Sequence, residues 1–341
     1  MPEIPFADGS AAAIAKGLYG MHLTAADYTA LLGCATVSAA AAKLKGFRGY
    51  GDVVSGLDPM TVPRARLEQL LRGKIYRDIR HIRRYMEAAG NRFCDFFRMS
   101  FDVLQLTDAI SALSGEEDYL IRLPDYFTGD SDLPLYELAE AKTEADIIAV
   151  SDGTPYADVT RRAIEAYGPQ NDSQALYLTF ASYETQRFGR LPHSRDAMRL
   201  YRRKTDLELL KLMYRVCSFD RALSAANDAS VCDVLSLPAS KAAAVLRAQD
   251  TAAFRQAMRG TEYRALAGAQ DFYAAADELL YAFARDAIRY SRHADAVVLA
   301  YVYLSQIETQ NIIHIIEGIR YHLPQSVIRP LLCGSGEAER R

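Results

Sequence analysis

The chain has 341 residues, of which half are hydrophobic and about a quarter are charged, and its formal net charge at pH 7 is −3. This is the balance of a globular protein, and it gives no whole-chain reason to expect nucleic acid or an anionic membrane as a partner. No apolar run approaches the ~20 residues of a membrane-spanning helix. The five cysteines form no CxxC pair, so we expect a soluble intracellular protein with free thiols.

Helix-forming residues dominate the whole sequence. Alternating runs of Val, Ile and Thr are absent, whereas Ala, Leu, Arg and Glu are abundant, and this predicts an all-α fold. In chain order we expect helices over residues 25–42, from Pro63 through Met86, and over 93–113, 176–188, 197–217, 272–292 and 295–319.

The long helix after Pro63 has two contrasting faces. Apolar residues recur at three- and four-residue steps, which predicts a stripe that packs into a core: Leu67, Leu70, Leu71, Ile75, Ile79, Ile82 and Met86. The opposite face is basic, with Arg72, Lys74, Arg77, Arg80, Arg83 and Arg84. A solvated helix face is the simpler interpretation of the basic residues, and a specific anion site is the alternative.

A block of sequence recurs three times. Residues 142–159, KTEADIIAVSDGTPYADV, have echoes at 36–53 and 250–266. Intervals of 107 residues separate the candidate helix N-caps Thr36, Thr143 and Asp250, and the same intervals separate Gly46, Gly153 and Gly260. An aromatic follows nearly in step at Tyr50, Tyr156 and Tyr263. The period is too long for a solenoid unit, and it predicts three similar helical subdomains at residues 1–113, 114–235 and 236–332, with a polar tail at 333–341.

An acidic residue also recurs, midway along a long helix of each subdomain. These residues are Asp102, Asp206 and Glu308, and three positions later stand Gln105, Leu209 and Asn311, one turn along the same helix face. If the subdomains surround an axis, the acids could line a shared central surface. Ordinary surface carboxylates are the alternative.

Motifs of enzyme and cofactor sites are missing from the sequence. There is no phosphate-binding GxxxxGK[ST] loop, no strand–GxGxxG–helix fingerprint, no HExxH and no GxSxG elbow. The six histidines are scattered, and no Cys/His pair has metal-ligand spacing. We therefore predict no catalytic, cofactor-binding or metal-binding residue and no direct small-molecule substrate.

The C-terminal part of the chain carries a family resemblance. Residues 307–332, IETQNIIHIIEGIRYHLPQSVIRPLL, resemble the C-terminal signature of one family of V/A-type ATPase central-stalk subunits, those designated C, or d in eukaryotic vacuolar pumps. The matching residues, in order, are Glu308, Asn311, Ile315, Gly318, Leu323, Pro324, Ile328 and Arg329. The recurring acids and the triplicated helical plan also fit this family, although Leu209 departs from it where a polar residue is expected.

The resemblance implies a role in a rotary motor. The three subdomains would form a funnel with pseudo-threefold symmetry, a non-catalytic socket that links the central shaft to the membrane proteolipid ring and transmits torque during ATP-coupled proton or sodium transport. The protein would be cytoplasmic, peripheral to the membrane, and a monomer within a hetero-oligomeric complex. Candidates for the shaft or ring interface are Asp102, Asp206, Glu308 and Asn311. The alternative role for these side chains is contact with solvent and with their own helix, or hydrogen bonds inside the subdomains.

Two other functions remain open at the level of sequence. Triplicated helical units also serve as adaptors or scaffolds that are unrelated to any motor, since a fold alone does not fix function. An all-helical enzyme with an unrecognised site is the second alternative, and it would require polar residues that converge in a closed pocket.

Overall fold

The computed structural model describes residues 7–55, 64–88, 90–113, 130–218 and 234–335. Within these ranges the chain forms fifteen α-helices and two short 3-10 helices and contains no β-strand, which confirms the all-α prediction. The helices of the first half are α1 (Ala7–Tyr19), α2 (Ala25–Leu32), α3 (Val37–Lys45), α4 (Arg64–Ala88), α5 (Asp95–Ala112), α6 (Leu135–Glu140), α7 (Glu144–Ser151) and α8 (Ala157–Tyr167). Those of the second half are α9 (Ser173–Arg190), α10 (Arg195–Ser218), α11 (Ala239–Leu246), α12 (Thr251–Met258), α13 (Phe272–Tyr290), α14 (Ala294–Arg320) and α15 (Gln325–Ile328), with 3-10 turns at Arg264–Gly268 and Arg329–Leu331.

The chain packs as two compact units, and each unit is assembled from separate stretches. The first comprises Met1–Asn91, His193–Arg203 and Gln270–Arg341, and the second comprises Arg92–Pro192 and Lys204–Ala269. These packing units differ from the predicted sequence repeats, whose boundaries stay a prediction. The predicted second subdomain is described only from residue 130, with a gap at 219–233, and the predicted tail only to residue 335.

Helix α14 is the centre of the first unit. Its 27 residues are apolar on almost every side, and α1, α2, α3, α4 and α13 all pack against it. A helix that is hydrophobic all round is stable only when its neighbours cover it. The apolar core of this unit accordingly joins Ile312, Ile315 and Ile316 of α14 to Leu31 and Leu44 of the N-terminal helices.

Helix α4 confirms the predicted apolar stripe. Leu70 is partly buried, and the other members of the stripe within the described residues are all buried: Leu67, Leu71, Ile75, Ile79, Ile82 and Met86. The prediction of one helix over residues 25–42 was wrong, because α2 ends at Leu32 and α3 begins at Val37. Between them Thr36 turns its side chain back onto the backbone and starts a new helix instead of continuing the old one.

The second unit is built around α5 and α9. Phe96 on α5 and Phe188 on α9 pack edge to face with ring centroids 4.8 Å apart, and Phe93 meets the same Phe188 ring at 5.7 Å. Aromatic pairs prefer this geometry, since the positive ring edge meets the negative ring face. Helix α8 packs against α9, and α7 packs against both α5 and α8.

The three predicted helix caps are confirmed. The side chains of Thr36, Thr143 and Asp250 each adopt the N-cap role and accept a hydrogen bond from the third amide of α3, α7 and α12, at 3.1, 3.1 and 2.7 Å. These bonds satisfy amides that have no partner inside the helix. At Gly153 the backbone takes φ of +76°, a conformation that side chains disfavour.

Candidate functional site

The first recurring acid, Asp102, is completely buried on α5. Its carboxylate accepts hydrogen bonds from the hydroxyl of Ser131 at 2.6 Å, from the amide of Asp132 at 3.1 Å and from the phenol of Tyr156 at 2.8 Å. Arg98 forms an ion pair with Asp132 at 2.6 Å. The carboxylate therefore holds a chain segment and a tyrosine together beneath the surface.

The second acid, Asp206, repeats this arrangement on α10. It is also completely buried, and it accepts bonds from the amide of Ser236 at 2.8 Å, from the Ser236 hydroxyl, and from the phenol of Tyr263 at 2.6 Å. Tyr263 is as fully buried as its counterpart Tyr156.

The third acid, Glu308, lies on α14 and is 4% exposed. Its Oε2 accepts the amide of Leu23 at 2.6 Å, and its Oε1 accepts the phenol of buried Tyr50. The backbone amide and the tyrosine again approach one carboxylate. Here, however, they come from the opposite end of the chain, because Tyr50 and Glu308 are 258 residues apart.

Each acid closes a module of two short helices. The segment that supplies the amide leads into the first helix of the module, which is α6, α11 or α2. The second helix, which is the N-capped α7, α12 or α3, packs against the first. The tyrosine that binds the acid follows the second helix. We name these the two-helix modules, residues 131–156, 236–263 and 23–50. One carboxylate thus binds both the segment before the first helix of a module and the tyrosine after its second helix. These donors satisfy the hydrogen-bonding needs of the buried acceptor.

Burial shapes the protonation of the three acids. It raises the pKa of Asp102 and Asp206, and hydrogen bonds from their serine and tyrosine partners act in the opposite direction. Burial raises the pKa of Glu308 further, to about 7, against the bonds from Tyr50 and Leu23 and the charge of Lys74. The Glu308 carboxyl therefore titrates near neutral pH.

A histidine distinguishes the third acid from the other two. His22 Nδ1 lies 3.4 Å from Glu308 Oε2, a distance that suits an ion pair, and its Nε2 lies 3.1 Å from the hydroxyl of Ser305. Burial, together with the charge of Lys74, lowers the pKa of His22 to about 3. The imidazole is therefore neutral at pH 7, and the contact with Glu308 is not an ion pair.

The polar cluster around Glu308 extends to α4. Lys74 pairs with Asp78 at 2.9 Å and lies 5.5 Å from the centre of the Tyr50 ring, while Asp78 accepts the phenol of Tyr301 at 2.6 Å. Buried charges are stable when paired and hydrogen-bonded in this way. Lys74, which the sequence placed on the basic face of α4, is thus an interior residue.

Asn311 performs a different task. Its amide nitrogen donates to the carbonyl of Cys333 at 2.8 Å and to the phenol of Tyr28 at 3.2 Å, and its oxygen accepts the amide of Cys333 at 2.9 Å. One side chain thereby satisfies both backbone groups of Cys333 and holds the C-terminal segment against α14.

All four predicted site residues are bonded within the chain. The partners of Asp102 and Asp206 belong to the next predicted subdomain, and those of Glu308 belong to the first, so these hydrogen bonds are not the bonds inside one subdomain that the sequence left open. Their contact with a shaft or ring stays a prediction. The pairing of acids with tyrosines was missed, although both series recur with a similar period and two of the pairs are separated by 54 and 57 residues.

Neither a metal site nor a membrane span is found in the described ranges. No group of three or more His, Cys, Asp or Glu side chains there could hold a metal ion. Within the same residues no helix is both long enough and apolar enough to cross a bilayer. The arrangement supplies hydrogen-bond acceptors that fasten helices, and its carboxylates are already occupied by donors from the chain itself.

Comparison with known proteins decides the family. Residues 11–331 match the profile of the ATP synthase (C/AC39) subunit family. The chain belongs to this family. A comparison with curated proteins gave no match.

The matched region contains all three two-helix modules and the three acids that close them. The family match confirms the resemblance to V/A-type ATPase subunits that residues 307–332 indicated, and it extends over nearly the whole chain. C/AC39 proteins are subunits of V/A-type ATPases, so membership implies a place in a hetero-oligomeric ATPase complex.

Proposed function

We propose that this C/AC39 chain is a non-catalytic central-stalk subunit of a V/A-type rotary ATPase. The observation that carries the proposal is the family match over residues 11–331. The buried acids support a structural role, because donors from the chain itself occupy their carboxylates. In this role the chain transmits torque during ATP-coupled proton or sodium transport, and catalysis and ion translocation reside in other subunits.

The proposed architecture is a pseudo-threefold funnel made of residues 1–113, 114–235 and 236–332. It serves as a socket that holds the central shaft and rests on the membrane proteolipid ring. The recurrence of the two-helix module supports this design. The last acid, Glu308, binds Tyr50 of the first module, so a buried acid binds the tyrosine at the end of each of the three modules.

The four candidate interface residues have an indirect role in this proposal, because each of them holds a segment of the chain in place. Asp102, Asp206 and Glu308 hold the segments at the two ends of the modules. Asn311 holds the backbone at Cys333. We propose that they shape the shaft or ring interface by keeping these segments in place. An interface that resists torque needs such rigid elements beneath it, since stable specific interfaces bury ~1,200 Å² or more of well-packed surface.

The proposed location is the cytoplasmic face of the membrane, with attachment through the ATPase complex. The lack of a membrane-crossing helix among the described residues is consistent with a peripheral position. The proposed partners are the shaft subunits and the proteolipid ring. Nucleic acid and small-molecule substrates have no part in this function.

Co-purification from membranes tests the proposal. A tagged chain, expressed in cells that lack the untagged copy, is isolated from detergent-solubilised membranes, with an untagged culture as the control. We expect the proteolipid and shaft subunits to appear with it in one complex. A chain that purifies as a monomer without any ATPase subunit would contradict the proposal and favour a helical adaptor.

A further inference from the structure

The outer face of α4 carries a row of arginines that the proposed function has not yet used. Five of them are exposed on this 25-residue helix: Arg66, Arg72, Arg77, Arg80 and Arg84. We name these five side chains the arginine face. Arg77, Arg80 and Arg84 follow at three- and four-residue steps and share one side of the helix. At ~1.5 Å per residue, the face extends over about 27 Å.

The acidic side chains that the structure describes on α4 are paired with residues outside this face. Asp78 points inward to Lys74 and Tyr301, and Glu87 pairs with Arg83 at 2.7 Å. Arg72, Arg77 and Arg84 form no ion pair with any side chain that the structure describes. The first unit as a whole has 23 basic and 18 acidic residues, a net charge of +5, in a protein whose total charge is −3.

We propose that the arginine face binds an acidic surface of another subunit of the ATPase complex, with Asp or Glu side chains spaced at helical intervals. This inference rests on the proposed function, since that function supplies the complex. Guanidinium groups bind carboxylates with two parallel hydrogen bonds. The exposed basic residues of this helix are arginines, and the single lysine, Lys74, points inward.

The packing of α4 favours a protein partner over a lipid surface. A helix that binds in a membrane interface inserts its apolar side among the acyl chains. In α4 the apolar side is committed to the protein core, with Leu71 1%, Ile82 0% and Met86 0% exposed. Beside the charges, Tyr85 is the one large hydrophobic side chain among the described residues of this helix that is exposed. A carboxylate surface, in contrast, also matches the planar geometry of arginine.

Charge reversal within the assembled complex provides the first test. The variant Arg72→Glu/Arg77→Glu/Arg84→Glu is compared with Arg162→Glu/Arg190→Glu/Arg259→Glu, which changes the charge equally at three exposed arginines of the second unit. Because all six side chains are exposed, both variants should keep the circular dichroism spectrum and the Tm of the parent. We expect the arginine-face variant to be retained on the ATPase about tenfold more weakly, and the control variant to be retained normally.

The outcomes separate this inference from the proposed function. A parent chain that purifies without ATPase subunits would overturn both. Equal retention of the two triple variants on a complex that the parent chain does join would overturn the inference alone. Parent binding to vesicles of phosphatidylcholine and phosphatidylserine that the arginine-face variant loses would also overturn it, in favour of a membrane surface.

A cross-link identifies the chemistry of the partner directly. In the complex, Arg77→Lys/Arg84→Lys keeps the charges and provides amines that a carbodiimide joins to nearby carboxylates, with an amide formed and the carbodiimide released as its urea. We expect mass spectrometry to map this amide to an Asp or Glu of another ATPase subunit. Its absence in a complex that contains the variant would contradict the inference.

Discussion

Tyr156, Tyr263 and Tyr50 show what a single buried hydroxyl contributes. Each phenol donates to a carboxylate that is almost wholly removed from water. A buried acceptor that loses its donor costs more free energy than an exposed one, because no water replaces the lost bond. The tyrosines therefore stabilise the fold mainly by satisfying the acids.

Removal of one phenol should destabilise the protein measurably. We expect Tyr156→Phe to lower the free energy of unfolding by about 1–3 kcal/mol, since Asp102 loses one of its three donors in the interior. Tyr136→Phe is the matched control, because Tyr136 is 68% exposed. Urea unfolding of both variants gives the comparison, and equal midpoints would show that the bond between Tyr156 and Asp102 contributes nothing.

Glu308 should make stability depend on pH. Its pKa is about 7 in the folded protein against an ordinary value of 4.5. Between these values the folded state keeps a proton that the unfolded state loses, so the stabilising contribution of Glu308 is greatest below about pH 4.5 and falls as pH rises. This difference in pKa corresponds to about 3 kcal/mol of stability. Most of this contribution is lost by about pH 7, and above that pH the stability no longer depends on Glu308 protonation.

Glu308→Gln isolates this contribution. The amide cannot titrate, so the free energy of unfolding of the parent minus that of the variant should decrease by about 3 kcal/mol from pH 4.5 to 7. Urea unfolding across this range measures the difference, and other groups cancel because they titrate in both proteins. Parallel pH profiles would show that Glu308 keeps an ordinary pKa.

At the scale of helices, Gly318 determines how closely α15 approaches α14. A Cβ at this position would lie 2.5 Å from Cγ1 of Ile328, inside any permitted contact distance. The sequence identified Gly318 and Ile328 as parts of one signature, and the structure shows that they form a packed pair. Only glycine leaves room for Ile328 at this crossing.

Gly318→Ala should therefore lower the Tm. We expect a loss of about 1–3 kcal/mol from overpacking, and a smaller loss when Ile328→Ala is already present, because the double-mutant cycle removes the obstructing side chain. Gly189→Ala is the control, as its Cβ would meet nothing within 4 Å near the end of α9. An identical cost of Gly318→Ala in both backgrounds would contradict the close contact.

Local features could be predicted from the sequence, and contacts between distant elements could not. Two kinds of feature depend only on neighbours within a few residues, so the local sequence pattern predicts them. They are the apolar stripe of α4 and the caps Thr36, Thr143 and Asp250. The clamp between Glu308 and Tyr50 depends on the packing of α14 against the N-terminal helices. The acids were identified by their recurrence, but their burial follows from elements elsewhere in the chain.

For the whole molecule, the repeated clamp explains how one plan is used three times. Asp102 and Asp206 close modules that follow them in sequence, whereas Glu308 closes the first module and ties the end of the chain to its beginning. Such long-range closure makes the terminal segments parts of one core, as the joint cluster of Leu31, Leu44 and Ile315 shows. A subunit that transmits torque would need this resistance to fraying.

Rotation is the measurement that tests the central claim most directly. The ATPase is immobilised through its catalytic head, and a bead is attached to this chain through a biotin-acceptor tag at its C-terminal end. If this chain is a central-stalk subunit, we expect the bead to rotate when ATP is supplied and to stop when ATP is withdrawn. It should rotate at the same rate as a bead on the shaft. A bead on this chain that stays still while the shaft turns would contradict the proposed function.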